Sequence, residues 1–272
     1  MNPIAIILNV NACSNTVAFF FNFIIPGYIL KPGENNAGMK TKADKIVVLT
    51  GAGISAESGI STFRDANGLW EGHDVMEVAS PEGFRKNPAL VLDFYNKRRK
   101  QLLEVSPNRA HHDLAALQEE YQVCIITQNV DDLHERAGSR HVIHLHGELL
   151  KARSTFDGDL VYDWRKDILP GDFCEHLHQL RPHIVWFGED VPMIPAAIAE
   201  ISQADIVMVI GTSMQVYPAA GLIGYAPGGI PVYFIDPAPN IDTRSFPGLI
   251  VIPEKATTGV ARAITHLKTP DR

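Results

Sequence analysis

The chain has 272 residues, of which 46% are hydrophobic and 20% are charged, so it can bury a large core as one domain or as one domain with an insertion. Its net charge of −7 at pH 7 argues against a general affinity for nucleic-acid backbones. Cys13, Cys124 and Cys174 have no paired spacing, which suits a reducing compartment and provides neither a disulfide framework nor a zinc ribbon. We expect a cytoplasmic protein.

Residues 1–38 differ in composition from the rest and form an atypical N-terminal extension. No Lys or Arg precedes their apolar stretch VAFFFNFIIPGYIL, so a signal peptide or an oriented membrane anchor is poorly supported. Three interpretations stay open: an upstream choice of start site, a weak anchor, or a packed extension. Met39 lies just before KTKADKIVVLTGAG, a natural start for a first strand, so we assign 39–272 to the main domain.

Continuous apolar runs rich in Val and Ile predict strands that are buried on both faces of a parallel sheet. The candidate strands are 46–50, 123–127, 183–187, 206–210, 231–235 and 249–252. Helical patterns lie at 88–104, 110–120, 195–202 and 257–268. This alternation predicts an α/β fold, a Rossmann-like parallel sheet with helices on both faces and ligands at the carboxyl ends of its strands. The stretches 69–109 and 148–180 lack the alternation and predict a smaller inserted lobe.

The first predicted strand runs into GAGISA, which fits the strand–turn–helix fingerprint for a pyrophosphate. The candidate ligand-binding positions in this loop are Gly51, Ala52, Gly53 and Ser55. A plain dinucleotide fold would continue with a helix and a second strand that ends in an acid. Phe63, Arg64 and Asp65 follow instead, which places a charged pair close to the predicted nucleotide.

Strand 123–127 ends in TQNVDDLH, where Asn and Asp side chains can bind an amide or ribose hydroxyls. An ordinary helix start, with Asn129 or Asp131 as the N-cap, is an equally open interpretation. In the following HVIHLHGEL, alternation places His144 and His146 on one face and His141 opposite them if the segment is extended. A metal site is one alternative for this cluster. His146 followed by Gly147 suits a general base near a tight backbone approach.

Two later loops complete a set of four polar loops at predicted strand ends. Gly211, Thr212 and Ser213 offer N–H groups and hydroxyls to phosphates or a ribose, and Asp236 can take ribose hydroxyls. Together the four loops predict a dinucleotide lying across the edge of the sheet. Charged and polar groups around its nicotinamide end favour cleavage of the glycosidic bond over transfer of a hydride.

The motifs GAGISAESGISTFR, TQNVDDLH, HLHG, VWFGE and GTSMQVYPA resemble those of sirtuins, the NAD-dependent protein-lysine deacylases, over about residues 44–268. The resemblance implies that His146 acts as general base on a ribose hydroxyl, with nicotinamide, free lysine and O-acyl-ADP-ribose as products. The partners would be acylated lysine side chains of proteins. We expect a monomer that binds neither a membrane nor a nucleic acid. A mono-ADP-ribosyltransferase, an NAD glycohydrolase and a non-catalytic NAD-binding module are the alternatives.

The resemblance also implies the roles of individual residues. The nicotinamide pocket and its ribose would be bound by Ala52, Phe63, Arg64, Gln128, Asn129 and Asp131, with Ser213 beside the ribose or phosphates. VWFGE, residues 185–189, would take the substrate peptide as an added strand and contribute Val185, Phe187, Gly188 and Glu189. Many family members have an Asn near the position of Ile235 that contacts the adenine-side ribose. Asp236 would take its place here.

Most sirtuins carry two Cys pairs that bind zinc, but here Ser154 and Asp157 stand where the first pair should lie and only Cys174 comes later. We therefore expect no structural zinc, with a mixed site of Cys174, His176 and His178 as the alternative. Without zinc the small lobe must be stabilised by packing. We predict that this packing comes from Phe156, Tyr162, Trp164 and Phe173.

The segment NPALVLDFYNKRRKQLL reads as an amphipathic helix with Val91, Tyr95, Arg98 and Leu102 along one stripe. Arg98 on that stripe would need an anionic partner, unless it extends to water with the rest of its basic run. Tyr95 and Arg98 match the Tyr-x-x-Arg pair of the desuccinylase/demalonylase-type (class III) sirtuins, and Ala79 falls at the matching small position. This resemblance implies a carboxylated acyl group bound by Arg98 and Tyr95.

Overall fold

Strands and helices alternate in the computed structural model, which describes residues 43–61, 69–212, 214, 217–239, 241 and 248–269. The described strands are β1 (Lys45–Thr50), β2 (Leu69–Trp70), β3 (His73–Asp74), β4 (Gln122–Thr127), β5 (Val142–His144), β6 (Gly147–Ser154), β7 (Val161–Asp163), β8 (Leu180–Ile184), β9 (Ile206–Ile210), β10 (Val232–Ile235) and β11 (Leu249–Ile252). The described α-helices are α1 (Ala52–Ala56), α2 (Val75–Val78), α3 (Pro81–Lys86), α4 (Pro88–Glu104), α5 (Arg109–Ala116), α6 (Leu133–Arg136), α7 (Ile194–Ile201) and α8 (Ala256–Lys268).

Six of these strands form one sheet in the order β11-β10-β9-β1-β4-β5, and every pair in it is parallel. Along β1, Ile46 and Val48 pack into the core beneath α5 and α8, whereas Val47 and Leu49 pack into the core beneath α7. Both faces are therefore covered, as the predicted Rossmann-like α/β class requires. The strand order reverses between β1 and β9, which is where ligands bind in folds of this kind.

The smaller lobe is built on an antiparallel sheet of β7, β6 and β8. Its core contains Leu92, Ala152, Ile168, Cys174 and Leu180, and Tyr162 and Trp164 pack against them, as predicted. The prediction was wrong for Phe156 and Phe173, which are 67% and 54% exposed. The exact limits of the lobe and of the main domain stay predictions.

The sheet differs from the predicted one at two places. The run 183–187 is not a parallel strand, because only its first two residues belong to β8, which pairs antiparallel with β6. Its apolar side chains serve the small lobe instead, where Ile184 and Trp186 are buried beside Tyr95. The remaining parallel strand is β5, which has three residues and too little apolar sequence to stand out.

Most predicted helices appear within a residue or two of their expected ends. The predicted helix 110–120 is shorter, since α5 ends at Ala116 and a 3-10 turn covers 117–119. None of the described helices is long and apolar enough to cross a membrane.

Two histidines in edge-to-face contact lie in the core where α5 packs against α6. The rings of His111 and His134 have centroids 4.9 Å apart, and both side chains are almost completely buried. His134 Nε2 lies 3.1 Å from Thr50 Oγ1 at the end of β1. Burial lowers the pKa of His111 to about 4 and lowers that of His134 well below its ordinary value. Both rings are therefore neutral in the folded protein near neutral pH.

This pair should make the fold sensitive to acid. Both histidines take up a proton more readily in the unfolded chain, so their contribution is complete above the unfolded pKa of about 6.5 and is lost as the pH falls toward 4. We expect the free energy of unfolding, measured by urea titration, to fall by up to about 1.4 kcal/mol per pH unit for each histidine across this range. His111→Gln should flatten the slope and exposed His176→Gln should not; equal slopes in all three proteins would contradict the prediction.

Candidate active site

The loops after β1 and β9 touch through their backbones. Gly53 N donates to the carbonyl oxygen of Gly211 at 2.8 Å, and a Cβ built on Gly53 would lie 2.6 Å from Gly211 Cα. Gly211 itself has a φ of +61°, in the left-handed region that favours glycine. Only glycines allow this approach, and the contact places the predicted nucleotide loop at the point where the strand order reverses.

Asn129 follows β4 and reaches across to this loop. Its Nδ2 donates to the carbonyl oxygen of Gly51 and to Ser55 Oγ, each at 3.1 Å. Both amide hydrogens are thus used within the protein. A further partner such as a ribose hydroxyl can bind the side chain only through Oδ1.

Ser55 links Asn129 to Asp131 by a second hydrogen bond. Its hydroxyl donates to Asp131 Oδ2 at 2.9 Å, while Leu133 N donates to Asp131 Oδ1 at 3.2 Å. Burial raises the pKa of Asp131, and the two donors partly offset that effect. The carboxyl group therefore organises Ser55 and Asn129. Its predicted contact with the nicotinamide ribose stays a prediction.

The other predicted cofactor positions lie around the same strand ends. Gln128 Nε2 donates to Thr212 Oγ1 at 3.1 Å, which ties the loops after β4 and β9 together. Asp236 is buried beyond β10 and accepts from Ala238 N. Phe63, Arg64 and Ser213 lie outside the described residues.

His146 lies at the turn between β5 and β6, and its ring is held by the loop after β4. Its Nδ1 is 3.0 Å from the carbonyl oxygen of Gln128, an acceptor, so Nδ1 carries the hydrogen. Within the described residues no other group bonds the ring, and the neutral tautomer therefore keeps an unprotonated Nε2. Burial lowers the pKa of His146, and the Gln128 carbonyl only partly offsets this.

The expected backbone approach beside His146 is present. A Cβ on Gly147 would lie 2.1 Å from the carbonyl oxygen of His183, and Gly147 has a φ of +82°. Val185 N in turn donates to the carbonyl oxygen of His146 at 2.9 Å. The VWFGE segment is therefore hydrogen-bonded directly to the histidine that we predict to be the base.

The remaining residues of the VWFGE segment are fixed by a backbone hydrogen bond at Phe187 and by the carboxylate of Glu189. Phe187 N donates to the carbonyl oxygen of Ala79 at 2.9 Å, and the Phe187 side chain is 42% exposed. Gly188 follows with a φ of +89°. Glu189 accepts from Arg181, from Arg153 and from Trp186 N, so its carboxylate fixes the segment from inside. Its predicted contact with the substrate stays a prediction.

Arg98 is only 9% exposed, so the interpretation that it extends to water is wrong, and the predicted apolar stripe of α4 is confirmed. Its guanidinium lies 4.4 Å from the Trp70 ring centroid, and Nη1 is 3.6 Å from Glu71 Oε1. Nε and Nη1 have no hydrogen-bond partner among the described residues. Sequence reasoning missed Trp70 and Glu71, because β2 and β3 are only two residues long.

Tyr95 lies one turn away from Arg98 and is completely buried. Its hydroxyl oxygen accepts from Trp186 Nε1 at 3.0 Å, and burial raises its pKa well above the ordinary value. Within the described part of the chain no acceptor takes the hydroxyl hydrogen. Ala79 packs in the same apolar cluster as Tyr95 and Trp186. Among the described residues, two neighbouring buried groups, the Tyr95 hydroxyl and Nε and Nη1 of Arg98, therefore lack a hydrogen-bond acceptor.

The alternative mixed site of Cys174, His176 and His178 is not among the close groups of His, Cys, Asp and Glu side chains in the described residues. Ser154 Oγ lies 3.3 Å from Cys174 Sγ, and the ring of His178 stacks on Phe156. The expectation that the protein holds no structural zinc stays a prediction. Elsewhere in the described residues such groups lie close together at Cys124, His141 and Glu200 and at Glu135, His144 and Glu148, and in the second group Glu135 and His144 bond each other directly.

Comparison with known proteins gives consistent matches. The Sir2 family model matches residues 51–218. An NAD-dependent protein deacylase of Helicobacter pylori is 63% identical over 192 residues, covering 71% of this chain and 84% of that protein. One from Bacteroides thetaiotaomicron is 54% identical over 222 residues, covering 79% and 94%.

Solved structures match as well. A crystal structure of a Sir2 homologue in complex with NAD has a TM-score of 0.73 and 37% identity, covering 83% of this chain and 90% of that chain. A mutant Sir2 homologue in complex with ADP-ribose has a TM-score of 0.75 and 38% identity, covering 83% and 92%.

The Gly53–Gly211 approach leads to a direct test. In Gly53→Ala the new methyl group would meet backbone that cannot move aside, so we expect a loss of about 1–3 kcal/mol in the free energy of unfolding. Gly228→Ala is the matched control, because its Cβ would meet nothing within 4 Å. Chemical denaturation of both variants makes the comparison, and equal stability of the two would show that the approach is not as tight as described.

Proposed function

The chain belongs to the Sir2 family, and on that premise we propose that it is an NAD-dependent protein-lysine deacylase. The observation that carries the proposal is the position of His146, whose unprotonated Nε2 is left available by the Gln128 carbonyl. Asn129 and the Gly51–Gly53 loop lie at the same edge of the sheet, where the strand order reverses. Its curated relatives named above carry the same activity in their names.

The donor set at this edge fits NAD. Thr212 Oγ1 accepts from Gln128 Nε2 and Met214 N, so its hydroxyl hydrogen can be donated to a phosphate or ribose oxygen, and Asn129 Oδ1 is left to accept from a hydroxyl. When bound, NAD supplies the nicotinamide–ribose bond that is broken and the ribose that receives the acyl group. On the strength of the family motifs we also propose that Phe63, Arg64 and Ser213 bind NAD.

His146 supplies the base in this scheme. Nδ1–H is committed to the Gln128 carbonyl, so the ring can accept a proton only at Nε2. Because burial lowers its pKa, the ring stays neutral and competent below its ordinary titration range. Val185 N bonds the carbonyl oxygen of His146, so a peptide that adds as a strand along VWFGE would bring its acyl-lysine toward the imidazole.

The general base leads to a pH prediction. Activity requires neutral His146, so it is present above the pKa of the ring and is lost as the pH falls through it, which should occur below about pH 6.5. We expect kcat/KM for an acetyl-lysine peptide to show that acidic limb. His146→Ala should lower formation of O-acyl-ADP-ribose by about 100-fold or more. Nicotinamide release at full rate without acyl peptide would instead favour an NAD glycohydrolase.

We propose further that the enzyme accepts lysine acyl groups that end in a carboxylate, such as succinyl and malonyl. The support is the pair of buried donors on α4 that lack acceptors among the described residues, Arg98 Nε and Nη1 and the Tyr95 hydroxyl. A buried guanidinium without a hydrogen-bonded anion is costly, and a substrate carboxylate would satisfy both groups. Ala79 in the same cluster has a small side chain, which suits a longer acyl chain.

Arg98→Met tests this specificity. We expect kcat/KM for a succinyl-lysine peptide to fall by about 100-fold, because the variant loses charge-assisted hydrogen bonds to the carboxylate. We expect kcat/KM for an acetyl-lysine peptide to stay within about threefold. Lys97→Met is the matched control, since Lys97 carries the same charge on the same helix but its side chain is 73% exposed. Similar losses on both substrates, or an equal effect of Lys97→Met, would contradict the assignment.

A further inference from the structure

His144 lies between the loop that carries Asn129 and helix α6. Its Nδ1 is 3.1 Å from the carbonyl oxygen of Asn129, and its Nε2 is 2.7 Å from Glu135 Oε1. Its side chain is only 8% exposed. Neither the general base nor the proposed acyl pocket uses this residue.

The two partners determine the protonation of the ring. A carbonyl oxygen only accepts hydrogen bonds, and so does an ionised carboxylate. Both ring nitrogens must therefore carry hydrogens, which makes His144 an imidazolium paired with Glu135. The pKa direction agrees: burial lowers the pKa of His144, but the hydrogen bond and charge of Glu135 outweigh it, and the pKa lies above the ordinary value.

The bond to Asn129 acts on a residue that is already constrained from its other end. The Asn129 side chain is held by Gly51 and Ser55, and its backbone carbonyl is held by His144. His146 holds the preceding carbonyl, that of Gln128, in the same way. Adjacent carbonyl groups of one loop are thus fixed by the two histidines of HLHG.

We propose that His144, with a proton on each ring nitrogen, is a positioning residue that ties Asn129 to Glu135 and so holds the loop facing the nicotinamide ribose. This inference rests on the proposed function. It assigns His144 no contact with substrate, and its effect passes through the Asn129 backbone. The role sets the two histidines apart, since one is neutral and acts as a base while the other is charged and holds the site.

The charge of His144 depends on every group that faces it. Glu135 on α6 and Glu148 on β6 favour the imidazolium, and Asp131 in the loop after β4 does the same. His134 on α6 is neutral and buried, and Lys151 on β6 is paired with Glu148. The carboxylates therefore dominate, and Glu135 is the nearest of them.

Loss of the His144 proton should disturb the site in a defined way. Glu135 is the stronger acceptor, so the neutral ring would keep its hydrogen at Nε2. The bare Nδ1 would then face the carbonyl oxygen of Asn129, two acceptors in contact. Activity should therefore fall at alkaline pH, with a midpoint above the ordinary histidine pKa of about 6.5.

Glu135→Gln separates this role from general stability. The Gln amide can donate to Nε2 of a neutral ring, which then keeps Nδ1–H on the Asn129 carbonyl. We expect this variant to retain kcat/KM for NAD within about threefold at about pH 7.5 and to lose the alkaline fall seen in the wild type. Nitrogen NMR of the imidazole should show both ring nitrogens protonated in the wild type and only one in the variant.

His144→Ala gives the complementary measurement. We expect kcat/KM for NAD to fall by about 10–100-fold, as for other supporting residues, while KM for the acyl peptide stays within about twofold. His141→Ala, which changes an exposed histidine of the same segment, is the matched control and should leave activity unchanged. If His144→Ala does not fold, the pH profile of Glu135→Gln decides.

An alkaline limb that persists unchanged in Glu135→Gln, or a neutral His144 ring in the wild-type spectrum, would overturn the proposal. So would equal effects of His144→Ala and His141→Ala. A wild-type protein that does not remove acyl groups from lysine would contradict the proposed function instead. The NMR result would still report on the protonation of the His144–Glu135 pair.

Discussion

The contact between Gly53 and Gly211 is the constraint on which the rest of the site depends. Parallel strands β1 and β9 deliver their following loops to one edge, and two residues without Cβ let those loops touch. Asn129 then reaches Gly51, and Gln128 reaches Thr212, across the same boundary. A side chain at position 53 would push the two strand ends apart and break the hydrogen bonds that span them.

Burial around this contact gives similar residues different chemistry. His146 and His144 are two positions apart, yet one loses its charge to burial and the other keeps it through Glu135. His134 is neutral because burial lowers its pKa and the neighbouring His111 lowers it further. The local partner therefore decides protonation, since the three rings share the same intrinsic pKa.

The smaller lobe contributes the other half of the substrate region. Glu189 accepts hydrogen bonds from Arg181 and Arg153 and so fixes the VWFGE segment. Trp186 of that segment donates to the Tyr95 hydroxyl, which links the segment to α4. Arg98 lies on the same helix face as Tyr95 without a hydrogen-bonded anion among the described residues. The structure thus joins the segment proposed to bind peptide to the donors proposed to select the acyl group.

The sequence by itself determined the α/β class, most of the parallel strands and the loop residues at their ends, because apolar runs and Gly-containing turns are local signals. It also identified the buried stripe of α4, since helical periodicity places Arg98 beside Tyr95. It misplaced 183–187 and gave no sign of β5, because an apolar run cannot reveal its partner and a three-residue strand has almost no pattern. The protonation of His144 and His146, and the lack of a hydrogen-bond acceptor for Arg98 Nε and Nη1 among the described residues, were decided only by tertiary structure, because each depends on groups far away in the chain.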